Sequence, residues 1–166
     1  MDFETFYRCE LSSMVGLART ICGDAETAKD IAQEAMSKAY ENWPKIAAYD
    51  KPGAWLRRVT INLAISKRRR VGRELSLLRR SAALRRTEVR HEDVRPDDEV
   101  WDAVRQLPPR QRAVVALFYQ DDLSTTAIAE ILDCSVSTAT SHLSQARAAL
   151  AVTLGESFAE YVEVGS

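Results

Sequence analysis

The chemistry-bearing residues of this chain are cations, amides and hydroxyls, and their grouping points to a polyanion. The chain is nearly neutral overall, with 23 Lys and Arg against 24 Asp and Glu. Between Arg57 and Arg90, however, basic side chains are opposed only by Glu74 and Glu88. A block of one sign in a balanced chain is an electrostatic footprint for nucleic acid. From Arg79 onward a solvated linker is an equally good reading. Trp55, Arg57, Arg58, Asn62 and the run Lys67, Arg68, Arg69, Arg70 follow a loop carrying Tyr49, Asp50 and Lys51. Aromatic and hydrogen-bonding side chains beside cations suit the bases and the backbone of a nucleic acid. Trp55 is itself read as core, because it stands at helical spacing with Val59 and Leu63.

A second group is CSVSTATSHLSQARAAL, Cys134 to Leu150. It has the outline of the second helix of a helix-turn-helix, yet its only permanent cation is Arg147. Gln pairs bidentately with adenine and Ser or Thr contacts several bases, so specificity survives. The phosphate attraction that scales with the number of cations is mostly missing.

Other chemistry is absent from the sequence. His91 and His142 stand in unrelated contexts, and neither a phosphate-cradling Gly loop nor a metal-ligand spacing is present. No catalytic residue, cofactor, metal or small-molecule substrate is expected. Cys9, Cys22 and Cys134 are odd in number and lack CxxC spacing, which fits buried thiols in a reducing cytoplasm. The acidic start MDFETFYRCEL has no signal-peptide order, and no apolar run suits membrane insertion.

The elements that must position these residues are helical almost throughout, because apolar residues recur three and four apart without sustained alternation. A first helix is expected over about Phe3–Cys22, ended by Gly23. Asp24 caps a second, whose apolar stripe is Ala28, Ile31, Ala32, Ala35, Met36, Ala39 and Trp43, stopped by Pro44. Its other side carries Asp30, Gln33, Glu34, Ser37, Lys38 and Glu41. After a loop, PKIAAYDKPG, a third helix starts near Pro52, buries Trp55, Leu56, Val59 and Leu63, and runs into KRRR. The chain from Val71 to about Arg95 reads as linker. Val100, Trp101, Val104 and Leu107 then form a short helix, and Pro109 starts another with Val114, Val115, Leu117 and Phe118 inward. Ser124 caps a helix holding Ile128, Ala129, Ile131 and Leu132. Asp133, Cys134 and Ser135 make the turn, and Ser135 caps a final helix that buries Val136, Ala139, Leu143, Ala146 and Leu150. Gly155 ends it before a short acidic tail. The expected fold is all-α: two small helical domains joined by a basic flexible linker, the second a helix-turn-helix domain. The boundaries are 1–70, 71–96 and 97–166.

Three stretches in this order resemble an RNA polymerase sigma factor of the extracytoplasmic-function (ECF) type, within the sigma-70 superfamily. DAETAKDIAQEAMSKAYENW is similar to the helix that docks on the β′ clamp helices of core RNA polymerase. PGAWLRRVTINLAISKRRR resembles the segment that recognises and melts the −10 promoter element. LPPRQRAVVALFYQDDLSTTAIAEILDCSVSTATSHLSQARAAL resembles the domain that reads the −35 element and, in the family, meets the β flap. The resemblance implies core contacts by Asp30, Gln33, Glu34, Ser37, Lys38 and Glu41. It nominates Tyr49, Asp50, Lys51 and Asn62 for an extruded base, with Arg57, Arg58, Lys67, Arg68 and Arg69 on phosphates. For the −35 element it nominates Thr140, Ser141, Ser144 and Gln145 as base readers. Around them stand Ser135, Ser137, Thr138, His142 and Arg147, with Arg110 and Arg112 outside the helix. An anti-sigma factor is a further implied partner.

The chain departs from the family pattern where Thr140, His142 and Gln145 replace common cations, and where Asp133 replaces a frequent turn Gly. Asp tolerates the left-handed conformation that such a turn needs. The −35 domain is therefore expected to bind weakly alone and to act when tethered by polymerase and the other domain. A stand-alone helix-turn-helix regulator and a module that titrates another regulator are the competing readings.

Overall fold

The computed structural model describes the backbone at 1–81 and 98–155 and the side chains at 1–77 and 99–155. The expected linker from 82 to 96 and the acidic tail from 156 lie outside the described residues. Eight helices and no strand are present among the described residues: α1 Phe3–Cys22, α2 Ala25–Glu41, α3 Trp43–Ile46, α4 Pro52–Ser81, α5 Asp98–Gln106, α6 Pro109–Tyr119, α7 Thr125–Leu132 and α8 Val136–Leu154.

Local chemistry sets most of the boundaries. The Asp2 side chain accepts from the Thr5 amide at 2.8 Å and opens α1. Gly23, at φ 84°, closes that helix by donating its N–H to the Arg19 carbonyl, a left-handed cap that a Cβ would disfavour. Asp24 then accepts from the Thr27 amide at 2.7 Å to open α2. A side-chain cap of this kind contributes about 1 kcal/mol. Ser124 and Ser135 cap α7 and α8 in the same way. Asp133 takes φ 55° and ψ 52° at the end of α7, so the turn accepts Asp in place of glycine.

Two expectations about the N-terminal half are corrected. PKIAAYDKPG is not all loop: Trp43–Ile46 forms a helical turn that buries Ile46 completely beside the core. The segment from 71, expected as a linker with at most a transient helix, is helical as far as Ser81, because α4 continues that far. No Gly–Pro pair or apolar demand ends the helix after KRRR, and the Arg-, Leu- and Ser-rich continuation has ordinary helix propensity.

The α2 stripe is buried as expected, from Ala28 to Ala39. Its alanines let α2 lie close against α1. In α4 the buried face is Leu56, Thr60, Ile61, Ala64 and Ile65. Thr60 enters the core because its hydroxyl donates to the Leu56 carbonyl at 2.9 Å, which satisfies the polar group locally.

The C-terminal half follows the helix-turn-helix outline, with one exception in α8. Ala139, Leu143, Ala146 and Leu150 are buried, but Val136 is 44% exposed, being at the first turn beyond the reach of α7. α6 is buried nearly all round, from Arg112 to Leu117. Its second face is covered because it packs on α1 as well as α8, while α7 packs on α4. One apolar cluster runs from Phe6, Met14 and Leu17 through to Leu117, Ile128 and Leu143. The halves that the sequence separates thus share a core, and a smaller cluster joins α5 to the end of α8.

Candidate nucleic-acid interfaces and docking face

The first candidate surface is the outer side of α2. Asp30, Gln33, Glu34, Ser37, Lys38 and Glu41 are all exposed, because the stripe that faces α1 leaves them on the other side. Gln33 Nε2 donates to the Tyr7 hydroxyl at 3.0 Å, and Lys38 pairs with Glu34 at 3.5 Å. Phe3, Tyr7, Met36 and Tyr40 join Gln33, Ser37 and Glu41 around a shallow groove of about 320 Å³. Phe3 meets the Tyr40 and Trp43 rings edge-on at 5.0 and 5.4 Å. Tyr40 remains 66% exposed. The groove has room for a partner's side chain, with aromatic walls and a polar rim, the pattern of a protein-docking patch. Sequence reasoning named the rim and missed Phe3, Tyr7 and Tyr40. The available signal was spacing: Tyr40 stands seven residues after Gln33, two turns along one helix face.

The second surface surrounds the start of α4. Tyr49, Asp50 and Lys51 form the exposed approach to the helix. Asn62 is exposed two to three turns further on, followed along one face by Ser66, Arg69 and Arg73. Asn62 stands ten positions after Pro52, about 15 Å along the helix. The structure therefore does not gather the four residues nominated for one extruded base into one pocket. Tyr49 to Lys51 make one group, and Asn62 belongs with the Ser66–Arg69 stripe.

The cations here divide into free and engaged. Lys67 and Arg69 are exposed. Arg68 is half-buried and turns towards the Ile21 carbonyl at 3.4 Å, and burial pushes its pKa down. Arg57 lies between two carboxylates, with Nε 2.7 Å from Asp121 and Nη1 3.1 Å from Glu10. Gly53 makes room for that pair: a Cβ there would stand 2.8 Å from the Arg57 guanidinium and 3.0 Å from the Glu10 carboxylate. Arg58 donates to the Ile131 carbonyl at 2.9 Å and the Glu130 carbonyl at 2.6 Å, and Lys51 meets the Glu130 carboxylate at 3.1 Å.

The third surface is α8. Ser135, Ser137, Thr138, Thr140, Ser141, Ser144 and Gln145 are exposed. Gln145 donates to the Ser141 hydroxyl at 3.2 Å, while its carbonyl oxygen accepts from Gln111 Nε2 at 3.1 Å. His142 is half-buried, with Nδ1 enclosed and without a hydrogen-bond partner. Arg147, the helix's lone cation, turns inward: it donates to the Tyr119 hydroxyl at 2.9 Å and lies 5.0 Å over the Phe118 ring.

Of the two flanking arginines, Arg110 is exposed and reaches the Leu132 carbonyl at 3.4 Å. Arg112 departs from the expectation that it faces DNA. It is 2% exposed and donates to the carbonyls of Leu107 and Ile21, each at 2.8 Å, and of Arg105. Burial, followed by the neighbouring Arg68 and Arg105, pushes its pKa down to about 10. It stays charged at neutral pH. Removing it from water costs free energy, and the three carbonyls offset that cost. Among the described residues no cluster of His, Cys, Asp and Glu suits a metal ion, and no helix is long and apolar enough to cross a membrane.

Comparison with known proteins converges on one assignment. Residues 6–74 match the family model described as Sigma-70 region 2, and residues 97–150 match Sigma-70, region 4. The ECF RNA polymerase sigma factor SigW of Bacillus subtilis is 31% identical over 147 residues, covering 81% of this chain and 79% of that one. The ECF RNA polymerase sigma factor SigL of Mycobacterium tuberculosis is 30% identical over 148 residues, covering 84% and 81%. In overall fold the chain is similar to the sigma factor RpoE solved with the anti-sigma factor NepR from Bartonella quintana. That match has a TM-score of 0.75 at 22% identity and covers 92% of this chain and 96% of that one.

Proposed function

The chain belongs to the extracytoplasmic-function family of RNA polymerase sigma factors, and on that premise we propose which of its surfaces meet polymerase and which meet the promoter. A sigma factor of this kind binds core RNA polymerase, directs it to specific promoters and helps open the DNA. It is an initiation factor, and the chemistry belongs to the polymerase. The presence of both sigma regions in order disfavours a stand-alone helix-turn-helix regulator.

The observation that carries the assignment is the division of exposed chemistry into three faces of different character. The α2 groove, with Phe3, Tyr7 and Tyr40 beside Gln33, Ser37 and Glu41, suits the β′ clamp helices together with the exposed Asp30, Glu34 and Lys38 of the same helix. The approach to α4, Tyr49 to Lys51, receives the extruded −10 base. Asn62, Lys67 and Arg69 follow the opened strand, joined by Arg57, Arg58 and Arg68 once their internal partners release them. The exposed hydroxyls of α8 and Gln145 read the −35 element, with Arg110 and the N-terminal peptide groups of the helix on phosphates. The C-terminal half also meets the β flap. The domains remain those expected, 1–70 and 97–166, with α4 extending into the segment between them. We place the protein in the cytoplasm and assign it an anti-sigma partner, as its structural neighbour has.

The test mixes the purified protein with core polymerase and a promoter library and sequences the initiated transcripts. Initiation at a shared two-part motif, absent with core alone, is expected. Failure to bind core, with binding of duplex DNA alone, would replace this reading with the stand-alone regulator.

A further inference from the structure

α4 outruns the helix that covers it. Its register against α1 is fixed at three levels: Arg57 pairs with Glu10, the Thr60 hydroxyl lies 3.3 Å from the Met14 sulfur, and Arg68 reaches the Ile21 carbonyl. The two helices therefore run side by side in the same direction, and α1 stops at Cys22 while α4 continues to Ser81. About 20 Å of α4 extends past that level. The apolar face does not stop with its cover. Val71 and Leu75 stand seven and eleven residues after the buried Ala64, two and three turns along the same side. They are 47% and 48% exposed. Ser66, Arg69 and Arg73 run along the opposite side, so the stripe is distinct from the face assigned to DNA. From Lys67 to Arg80 the cations are opposed only by Glu74.

Such a stripe suits a cover that is both apolar and acidic, and the chain carries one. Beyond Arg147 there is no further Lys or Arg, and residues 156–166 hold Glu156, Glu160 and Glu163. Phe158, Tyr161 and Val162 stand three and four apart between them, the spacing of one helical face. The segment also starts nearby. Leu154, at the end of α8, shares an apolar cluster with Ala103, Val104 and Leu107 at α5. Arg105 of α5 lies against Gly23 at the end of α1, the level at which α4 loses its cover. The tail thus leaves α8 one helix away from the bare length of α4, and eleven extended residues reach about 36 Å. We propose that residues 156–166 dock in cis on the Val71–Leu75 stripe. Phe158, Tyr161 and Val162 cover the apolar side chains, and the glutamates meet the Lys- and Arg-rich flanks. The contact ties the end of the chain to the far end of α4 and leaves the DNA-facing side open.

Hydrogen exchange of the full chain, read by mass spectrometry, tests the contact from both ends. Phe158→Ser with Tyr161→Ser is expected to speed exchange of the amides at 71–77 about threefold, the protection lost when a site occupied in roughly two chains of three is emptied. Leu75→Ser changes an exposed position, so the core keeps its packing. It is expected to speed exchange at 157–163 by a similar factor, which a merely local loosening of α4 would not do. Both changes should be independent of protein concentration. No change at the distant end in either variant overturns the docking. Faster exchange at 98–106 in place of 71–77 would assign the tail to α5 and overturn it as well. Protection that fades on dilution would replace the contact in cis with one between two copies of the chain.

Discussion

The start of α4 and the exposed face of α8 make opposite use of charge. α4 begins with Arg57 and Arg58, both engaged by the other half of the molecule. α8 leaves its hydroxyls and Gln145 open to solvent and folds its lone cation, Arg147, onto Phe118 and Tyr119. One face is rich in charge that is occupied, the other poor in charge but open. The difference teaches that the cations a sequence contains and the cations a polyanion can reach are separate quantities. A guanidinium that finds carbonyls or carboxylates within the fold is removed from the count.

The sharpest way to break the comparison is at Arg112 and Arg110, two neighbours that the sequence places in one role. Arg112→Ala leaves buried carbonyls without a donor and should lower unfolding free energy by about 3 kcal/mol. Arg110→Ala, at an exposed position, should stay within about 0.5 kcal/mol. Denaturant titration of both variants measures the contrast, and equal losses would mean that burial does not separate them.

Asn62→Ala tests the free stripe of α4. It should slow promoter opening about tenfold, the equivalent of roughly 1.4 kcal/mol, while core binding is unchanged. Equal loss in opening and core binding would take Asn62 out of the strand-contacting set. Adding charge to the open face sharpens the other side. Thr140→Arg with Ser144→Arg should tighten binding of upstream duplex and steepen its salt dependence by about 0.9 for each phosphate neutralised. An unchanged slope would show that this side of α8 does not face the DNA.

The smallest effect concerns thiols. Burial pushes the Cys22 thiol up from its ordinary value, so less thiolate is present at neutral pH than an exposed cysteine offers. Cys9 is exposed. Mass-spectrometric mapping of iodoacetamide adducts should find Cys9 modified first, with Cys22 gaining as pH rises. Equal rates at neutral pH would contradict the burial of Cys22.

Several parts of the candidate sites were legible because they depend on neighbours in sequence. The rim of the α2 groove follows from helical periodicity alone, since the side opposite an apolar stripe must be solvated. Of the aromatic walls only Tyr40 was legible, through its spacing from Gln33, because Phe3 and Tyr7 come from α1 and meet it only in the fold. Val136 is apolar and sits at the right period, yet among the described residues nothing covers it and it stays 44% exposed. Trp55, Val59 and Leu63, expected to be buried, are only half-buried against the core, because the buried face of α4 is Leu56, Thr60, Ile61, Ala64 and Ile65.

The sequence by itself determined the helices and their ends, because caps, prolines and apolar periodicity act over a few residues. It also determined membership of the sigma family, through motifs that keep their order and spacing. Only the tertiary structure decided which of the basic residues are available. That choice depends on oxygens brought in from distant segments: Asp121 and the end of α7 for α4, the end of α1 for Arg112, and Tyr119 for Arg147. Hydrogen-bond and Coulomb contacts act over a few ångströms in space, whatever the separation along the chain.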